Sequence, residues 1–555
     1  MTTYSNLSKE QLLAEIKRLK KGKKFGLLWE DKPENVAELC KTKLPVLVDV
    51  EDKEISDGYH ESTNILIEGD NYHALSVLNY THKGRIDVIY IDPPYNTGAK
   101  DWKYNNAYVD INDSYRHSKW LSFMHKRLRL AKNLLRPAGV LICTIDENEH
   151  ASLGMLLQEI FFDREIVCVT IVHNPGGIQG NNFSFCHEYA YFVYPSGGKY
   201  INLQERDENP DIRPLRNVSK GDHLRDTAAN CFYPIYVKKG KIIGFGDVCP
   251  DSFHPKSANI IRKNGTIEIY PIDVQGNERK WVFARQSVEA IFEELSVEYN
   301  KKRKIWDIIR KKTKFPYKTV WTDSRYNANL FGTQLLSKII PDKFPFPKSL
   351  FAVEDCIQAV IHDKNNAIIL DFFAGSGTTG HAVLELNKMD EGKRRFILCT
   401  NNENNICSDV CYPRIKKVIT GYKDSKGEKV DGLGGNLKYY RPEFVDADPT
   451  DKNKKKLTEK ATEMLCLKEG TFKKIAGKKA FKIYKNTNHY TGIIFDQMAI
   501  PDFKEAISKM KGNFSVYVFS LGDDSFEEEF DDVKQKVKLS PIPEVILRVY
   551  RRIFK

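Results

Sequence analysis

A chain of 555 residues exceeds what one hydrophobic core serves, so about three or four domains are expected, and 41% hydrophobic with 11% aromatic residues exclude a disordered chain. The formal net charge of +12 suits a polyanionic partner such as nucleic acid without requiring one. No apolar run approaches the ~20 residues of a membrane span, and the 11 cysteines are scattered without a CxxC pair, which points to a soluble cytoplasmic protein with no membrane segment, no disulfide framework and no metal.

The first element is SKEQLLAEIKRLKKGKK, where Ser8 and Gln11 have the spacing of a capping box and Leu12, Leu13, Ile16 and Leu19 form an apolar stripe. Residues 1–35 therefore read as an N-terminal helical arm, its basic run to Lys24 either a solvated face or a phosphate or subunit contact. From 36 to 195 short apolar runs alternate with helical patterns. TNILIEGD is a strand ending near Asp70, NYHALSVLNY a helix, and IDVIYIDPP a strand. WLSFMHKRLRLAKNLLRPAG is an amphipathic helix stopped by Pro137 and Gly139, and VLICTIDENE is another strand. This rhythm predicts right-handed crossovers and an α/β, doubly wound, mainly parallel Rossmann-like sheet.

Between 196 and 340 the rhythm fails: polar loops and short β patterns such as KIIGFGDV and TIEIYPI precede the basic, aromatic segment KKRKIWDIIRKKTKFPYKTVW. The α/β pattern resumes over 341–435 with AIILDFFAGSGTTGHAVLELN and RRFILCTNN; nothing near Cys407 and Cys411 completes a metal site. Residues 436–555 hold a charged linker and the strands AFKIYKN, TGIIFDQ and FSVYVFSL among helical stretches, a small α+β domain. The expected organisation is one α/β domain split by an insertion, followed by that small domain.

Ligands of open parallel sheets sit at the carboxyl ends of strands, which makes Asp70, Asp92 and Asp371 candidates. In DFFAGSGTTG, Gly375, Gly377 and Gly380 satisfy GxGxxG, a weak signal alone, whose glycines allow a tight strand-to-helix turn and close backbone approach to a ligand. Asp371 and two phenylalanines ahead of the first glycine, Thr378 and Thr379 after it, and the late position in the chain disfavour NAD; a ligand-free helix start remains an alternative. In DPPY, Pro93 and Pro94 lack backbone donors and fix φ, Asp92 brings a carboxylate to the ligand edge, and Tyr95 brings a flat face with a polar tip. Rigid acceptors beside an aromatic plane suit a planar group carrying NH2, such as a nucleobase amine. Asp92 and the Pro93 carbonyl can take its two N–H groups, and stacking on Tyr95 offsets part of the few kcal/mol that extraction of a base from a duplex costs. A proline turn capped by an acid is the bland alternative.

YIDPPYNTG with a later DFFAGSGTT resembles the S-adenosylmethionine-dependent amino-methyltransferases of DNA, in the β-class order where the catalytic tetrapeptide precedes the cofactor glycines. LIEGDNYHAL, SFCHEYAYFVYP, NCFYPIYV, FPFPKSLFAVEDCI, YPRIKKVITGY and PIPEVILRVYRRIF extend the resemblance over most of the chain to the modification subunit of type III restriction-modification systems. The resemblance implies that Asp92, Pro93, Pro94 and Tyr95 are catalytic, with Asp in first place as in adenine-N6 enzymes. It implies a cofactor site of Asp70, Asn96, Lys348, Ser349, Asp371, Phe373, Gly375, Gly377, Thr378 and Thr379, Lys348 and Ser349 lying on the segment that reaches the cofactor's methionine end. The strand after the glycine helix reads RRFILCTNNE rather than ending in a clear acid, so no ribose ligand is assigned.

The insertion stands where β-class enzymes carry their target-recognition domain. Lys304, Arg310, Lys311, Lys312, Lys314 and Tyr317 are its candidate DNA contacts, against the alternative of an amphipathic helix with Trp306 and Ile309 in a core and its lysines solvated. The resemblance further implies double-stranded DNA as substrate, a homodimer, and a restriction subunit with helicase and nuclease activity as partner, since the chain has no GxxxxGK[ST] of its own. A solitary methyltransferase, an N4-cytosine or RNA methyltransferase, a protein-amide methyltransferase and a non-catalytic DNA-binding regulator are the rival readings.

Overall fold

The computed structural model describes residues 8–554 apart from 14–28, 57–61, 178–181, 206–209, 220, 302–303, 342–343, 362–363, 425, 488, 523 and 525. Most of the expected N-terminal arm, with Lys302 and Arg303, therefore lies outside the described residues. The capping box forms: Ser8 N donates to Gln11 Oε1 at 2.9 Å and Gln11 N to Ser8 Oγ at 3.2 Å. The chain divides into two compact units, one of residues 1–202 with 318–555, the other Leu203–Tyr317.

The first unit is built on a ten-stranded sheet. In chain order its elements are β1 (Lys43–Asp49), β2 (Thr63–Glu68), α1 (Asn71–Thr81), β3 (Ile86–Ile91), α2 (Arg116–Lys132), β4 (Leu135–Ile145), α3 (His150–Ile160), β5 (Arg164–Ile171), β6 (Glu188–Pro195), β7 (Val320–Trp321), α4 (Leu350–Ile361), β8 (Ile368–Asp371), α5 (Thr378–Asp390), β9 (Arg395–Thr400), α6 (Tyr412–Thr420) and β10 (Asn436–Asp446). The sheet order is β1-β10-β2-β9-β8-β3-β4-β6-β5-β7. From β10 to β4 all neighbours are parallel, while β1 is antiparallel to β10, β6 is antiparallel to both β4 and β5, and β7 is parallel to β5. Every residue of β3 is buried, as expected of a central strand whose sequence, IDVIYI, is almost continuously apolar and covered on both faces. Helix α1 packs on α2 and α2 on α3, while α4 packs on α5 and α5 on α6. This is the doubly wound α/β arrangement that the alternation of elements predicts.

Three expectations are corrected. The helix expected to run to Gly139 ends at Lys132, and Pro137 lies inside β4. Arg136 to Ala138 are exposed and the β3–β4 register shifts between Ile86 and Val88, so the proline, which has no N–H for a ladder, occupies an irregular strand start. The section from 436 does not begin a separate domain: β10 lies inside the main sheet, parallel to β2 and antiparallel to β1. Residues 318–340 belong to the first unit, where β7 runs parallel to β5.

Beyond β10 the first unit continues in α7 (Asp451–Lys460), α8 (Thr462–Glu469) and a five-stranded sheet of β11 (Lys473–Lys478), β12 (Phe481–Lys485), β13 (His489–Ile494), β14 (Asn513–Phe519) and β15 (Val537–Ile542), with α9 (Ile500–Ser508) between β13 and β14. The last helix, α10 (Glu544–Ile553), returns to the main core, where the buried Tyr550 hydroxyl donates to the Pro45 carbonyl of β1 at 2.5 Å.

The second unit has its own core of Leu215, Tyr233, Ile235, Val237, Ile269, Trp281, Val288 and Ile308. Its basic segment is not a helix. Residues Ile305–Lys312 form the centre of a three-stranded antiparallel sheet between Asp211–Pro214 and Leu295–Asn300, and Lys314–Pro316 pairs with Leu203–Glu205. β-Branched and aromatic residues in IWDII favour a strand, and pairing with two partners overrides the helical reading.

Candidate active site

Strands β3 and β8 are parallel neighbours, Val88 opposite Ile369 and Ile89 opposite Leu370, so their carboxyl ends leave the sheet side by side. From β3 the chain enters Asp92-Pro93-Pro94-Tyr95-Asn96; from β8 it enters Asp371 and the glycine turn. Strand β4 on the other side of β3 carries Thr144 one residue before its end, and antiparallel β6 starts at this same edge with Glu188, since Ile145 pairs with Tyr189.

The tetrapeptide loop is held from behind. Trp120 of α2 donates its indole N–H to the Pro94 carbonyl at 2.7 Å. Asn96, buried and at φ +59°, donates through Nδ2 to Glu149 Oε1 at 2.5 Å and accepts from Trp102 Nε1 at 3.0 Å. Asparagine is among the few residues that tolerate this left-handed conformation. His117 Nδ1 lies 2.6 Å from the same Glu149 oxygen.

Asp92 Oδ1 accepts from Thr144 Oγ1 at 2.7 Å and faces Lys348 Nζ at 3.2 Å. Lys348 also donates to Glu188 Oε2 and to the Tyr95 hydroxyl, and that hydroxyl donates to Glu188 Oε2 at 3.0 Å. One ammonium thus joins two carboxylates and the tyrosine of the tetrapeptide. Burial alone would lower the Lys348 ammonium, but the charges of Asp92 and Glu188 outweigh it and hold it above the usual lysine range. Burial would raise Glu188; Lys348 first, and His173 with it, bring it below the usual carboxylate range. Burial, with the charges of Asp92 and Glu188, pushes the Tyr95 phenol well up, so the phenol stays protonated and its O–H stays a donor.

The glycine turn between β8 and α5 places Gly375 at φ +50° and Gly377 at φ +80°. A side chain at Gly375 would meet only Phe344 and the Phe373 carbonyl, at 3.7 and 3.8 Å, so the turn leaves open space above its backbone, the form a close-approaching ligand needs. Asp371 supports the turn, accepting from Phe373 N at 2.9 Å and Thr379 Oγ1 at 2.6 Å; burial, opposed by these bonds, pushes its carboxyl up to about 7. Thr378 Oγ1 accepts from the buried Arg414 at 2.8 Å. Asp70 caps α1 through Tyr72 N at 2.7 Å and lies 3.5 Å from Arg127, a fully buried residue that grips Glu34 with two bonds of 3.0 and 2.7 Å and lies against Phe123. Phe123 in turn meets Phe373 at 5.8 Å between ring centroids. Ser349 is buried and donates to the Arg325 carbonyl at 2.7 Å. The open space above Gly375 is what a cofactor approaching the backbone closely would need, and a Cβ there would fill it.

The structure therefore brings Asp92, Tyr95, Lys348, Asp371 and the glycines to one edge. Asn96, Thr378 and Thr379 have their side chains engaged in holding the two loops. Thr144, Glu149 and Glu188 escaped sequence reasoning: each is a polar residue at or near the end of an apolar strand, and only sheet order reveals which strands lie beside β3. A groove of about 720 Å³ elsewhere in the first unit, with Lys83, Arg129, Lys132 and Arg552 among its lining residues, includes none of the tetrapeptide or glycine-turn residues. Among the described residues no cluster of His, Cys, Asp and Glu could hold a metal ion.

In the second unit Arg310 pairs with Glu294 at 2.6 Å and Lys314 with Glu205 at 3.0 Å; Lys312 lies against Phe315 at 5.0 Å. Lys304 is exposed in a turn at φ +55°, Lys311 is exposed, and Tyr317 is half-buried.

A family model described as a DNA methylase matches residues 86–409, more than half of the chain. The chain belongs to the N6/N4 DNA methylase family. The matched region of this methylase starts at β3 and spans the tetrapeptide, the second unit and the glycine turn. The methylase is 30% identical to the type II methyltransferase M.KpnI of Klebsiella pneumoniae, over 67% of its own chain and 91% of that protein. It is 29% identical to the Mod subunit of the type III restriction-modification enzyme EcoPI of Escherichia phage P1 and 28% identical to the StyLTI Mod subunit of Salmonella typhimurium. Those alignments cover 62% and 67% of this chain but only 58% of either Mod subunit. The solved PvuII DNA methyltransferase, cytosine-N4-specific, aligns over 63% of this chain and 86% of its own at 11% identity with a TM-score of 0.29.

Proposed function

We propose that this methylase transfers a methyl group from S-adenosylmethionine to N6 of adenine in duplex DNA after base flipping. The observation that carries the reading is the adjacency of β3 and β8, neighbouring strands ~4.8 Å apart, from which the Asp92 loop and the Gly375 turn leave at the same sheet edge. Asp70, Phe373, Gly375 and Gly377 hold the cofactor, with Asp371, Thr378 and Thr379 maintaining the turn. When bound, S-adenosylmethionine supplies an electrophilic methyl group on a sulfonium.

The chain's own residues do the rest. With Oδ1 of Asp92 engaged by Thr144 and Lys348, Oδ2 is the oxygen that accepts from the target amine, and the Pro93 carbonyl takes its second N–H. As attack proceeds the amine gains positive character, which Asp92 stabilises through a charge-assisted hydrogen bond. The anchored hydroxyl of Tyr95 fixes the ring beside the extruded base.

The second unit reads the target sequence, with Lys304, Arg310, Lys311, Lys312, Lys314 and Tyr317 as candidate contacts. Its ion-paired cations, Arg310 and Lys314, are weaker candidates for phosphate than the exposed Lys304 and Lys311. The chain acts in the cytoplasm as a homodimer and modifies DNA alongside a restriction subunit. A stand-alone modification enzyme is the second reading, favoured by the 91% coverage of M.KpnI.

Modification mapping of DNA from methylation-deficient cells expressing the chain tests the proposal. N6-methyladenine in one sequence context, absent with Asp92→Ala, is expected; N4-methylcytosine or unmodified DNA overturns it. Co-purification of a helicase-nuclease partner separates the subunit from the stand-alone enzyme.

A further inference from the structure

Glu188 and Lys348 come from segments far apart in sequence, 160 residues, yet both close on the Tyr95 hydroxyl of the tetrapeptide loop. Lys348 stands on the segment leading into α4, Glu188 on the first residue of β6, and both reach the Tyr95 hydroxyl while Lys348 also meets Asp92. Their side chains are 13% and 5% exposed, so water screens the pair little. A bound amine must find Asp92 charged and Tyr95 still, and neither requirement is met by the proline turn itself.

We propose that Glu188 and Lys348 form a positioning pair for methyl transfer: Lys348 bridges the carboxylates of Asp92 and Glu188, and Glu188 holds Lys348 and the Tyr95 hydroxyl in place. The proposal rests on Asp92 being the group that meets the amine. It gives Lys348 a role on the amine side of the site rather than on the cofactor segment where the resemblance placed it.

The electrostatic logic is directional. Without Lys348, Asp92 and Glu188 are two like charges in a poorly hydrated site, which favours the uptake of a proton by one of them. Without the Glu188 charge, the Lys348 ammonium keeps Asp92 as its remaining carboxylate partner, at 3.2 Å. Other titratable groups facing this cluster are His173 after β5, Asp146 after β4, Asp371 at the end of β8, Tyr90 on β3, Cys143 on β4 and Cys356 on α4. They are common to all variants below, so differences between variants report the pair.

The test uses the full chain carrying Lys348→Met, Glu188→Gln, both together, Lys348→Arg, or Asp92→Asn. Single-turnover transfer of tritiated methyl to an unmethylated phage genome is followed from pH 5.5 to 9, with cofactor affinity measured by calorimetry. The acid limb of the rate is expected to move up in pH by at least about half a unit in Lys348→Met, to move down in Glu188→Gln, and to return towards wild type in the double variant. Lys348→Arg lowers the rate but leaves the limb in place, and cofactor affinity changes less than threefold throughout. Shifts in the same direction, or a uniform fall in rate with an unmoved profile, overturn the pair. A tenfold loss of cofactor affinity in Lys348→Met also overturns it, by returning Lys348 to the cofactor. Should Lys348→Met not fold, the downward shift in Glu188→Gln decides alone. If the wild-type chain transfers no methyl to DNA, the proposed function has failed; if Asp92→Asn retains near wild-type transfer, the assignment of Asp92 to the amine has failed; if that variant is inactive while the profiles do not move as stated, only the pair has failed.

Discussion

Replacement of Asp92 by asparagine changes one atom in shape and two properties in chemistry. Thr144 Oγ1 and Lys348 Nζ both present donors to Oδ1, so the amide oxygen must take that position and the NH2 group the position of Oδ2. The charge-assisted bond to the amine, about 1.5–3 kcal/mol, disappears. A donor then faces a donor in the transition state, adding the roughly 1–3 kcal/mol of an unmade bond. Together about 2.5–6 kcal/mol corresponds to a roughly 10²–10⁴-fold slower methyl transfer at about 1.4 kcal/mol per decade. Folding is retained, because the Asp92 side chain is 28% exposed and Lys348 keeps Glu188 as partner. The assay is single-turnover transfer of labelled methyl to DNA, with cofactor binding by calorimetry and near-ultraviolet circular dichroism as controls. A rate within about threefold of wild type, with cofactor bound normally, would refute the assignment of Asp92 to the amine.

Asp371→Asn should remove a pH dependence of stability. Burial raises the Asp371 carboxyl to about 7, so the folded state keeps a proton that the unfolded chain releases near pH ~4. Its contribution is complete below that value and is lost as pH rises through about 7; the urea midpoint of the variant should therefore gain on wild type between pH 4 and 7, and parallel curves would disprove it. Gly375→Ala places an L residue at φ +50°, at a cost of about 1–2 kcal/mol, and puts a methyl over the cofactor turn. Cofactor affinity should fall about tenfold or more by calorimetry, and an unchanged Kd would remove Gly375 from the site. Neutralising Lys311 and Lys312 together should reduce the slope of log K against log salt for DNA binding by up to about 2, whereas an unaltered slope would exclude both from phosphate contacts.

Local chemistry was legible wherever a short segment carries its own geometry. The Ser8–Gln11 capping box, the helix Asn71–Thr81 and the tight strand-to-helix turn at Gly375 and Gly377 follow from residue types at fixed spacing, because each depends on neighbours within a few positions. The same spacing misled where partners lie far away. Ile305–Lys312 was open to a helix until two strands flanked it, and Pro137 looked like a helix stop but lies within β4, at its irregular start.

The sequence by itself determined that an acid, two prolines and a tyrosine follow a buried strand, and that a second buried strand runs into a glycine turn. Only the tertiary structure decided that these strands, some 280 residues apart, are neighbours, and that Thr144, Glu188 and Lys348 converge on Asp92 and Tyr95. Backbone turns are short-range and so can be read from the residues that make them, whereas the charge that a carboxylate keeps depends on which side chains the fold delivers to within about 4 Å, and no local pattern encodes that.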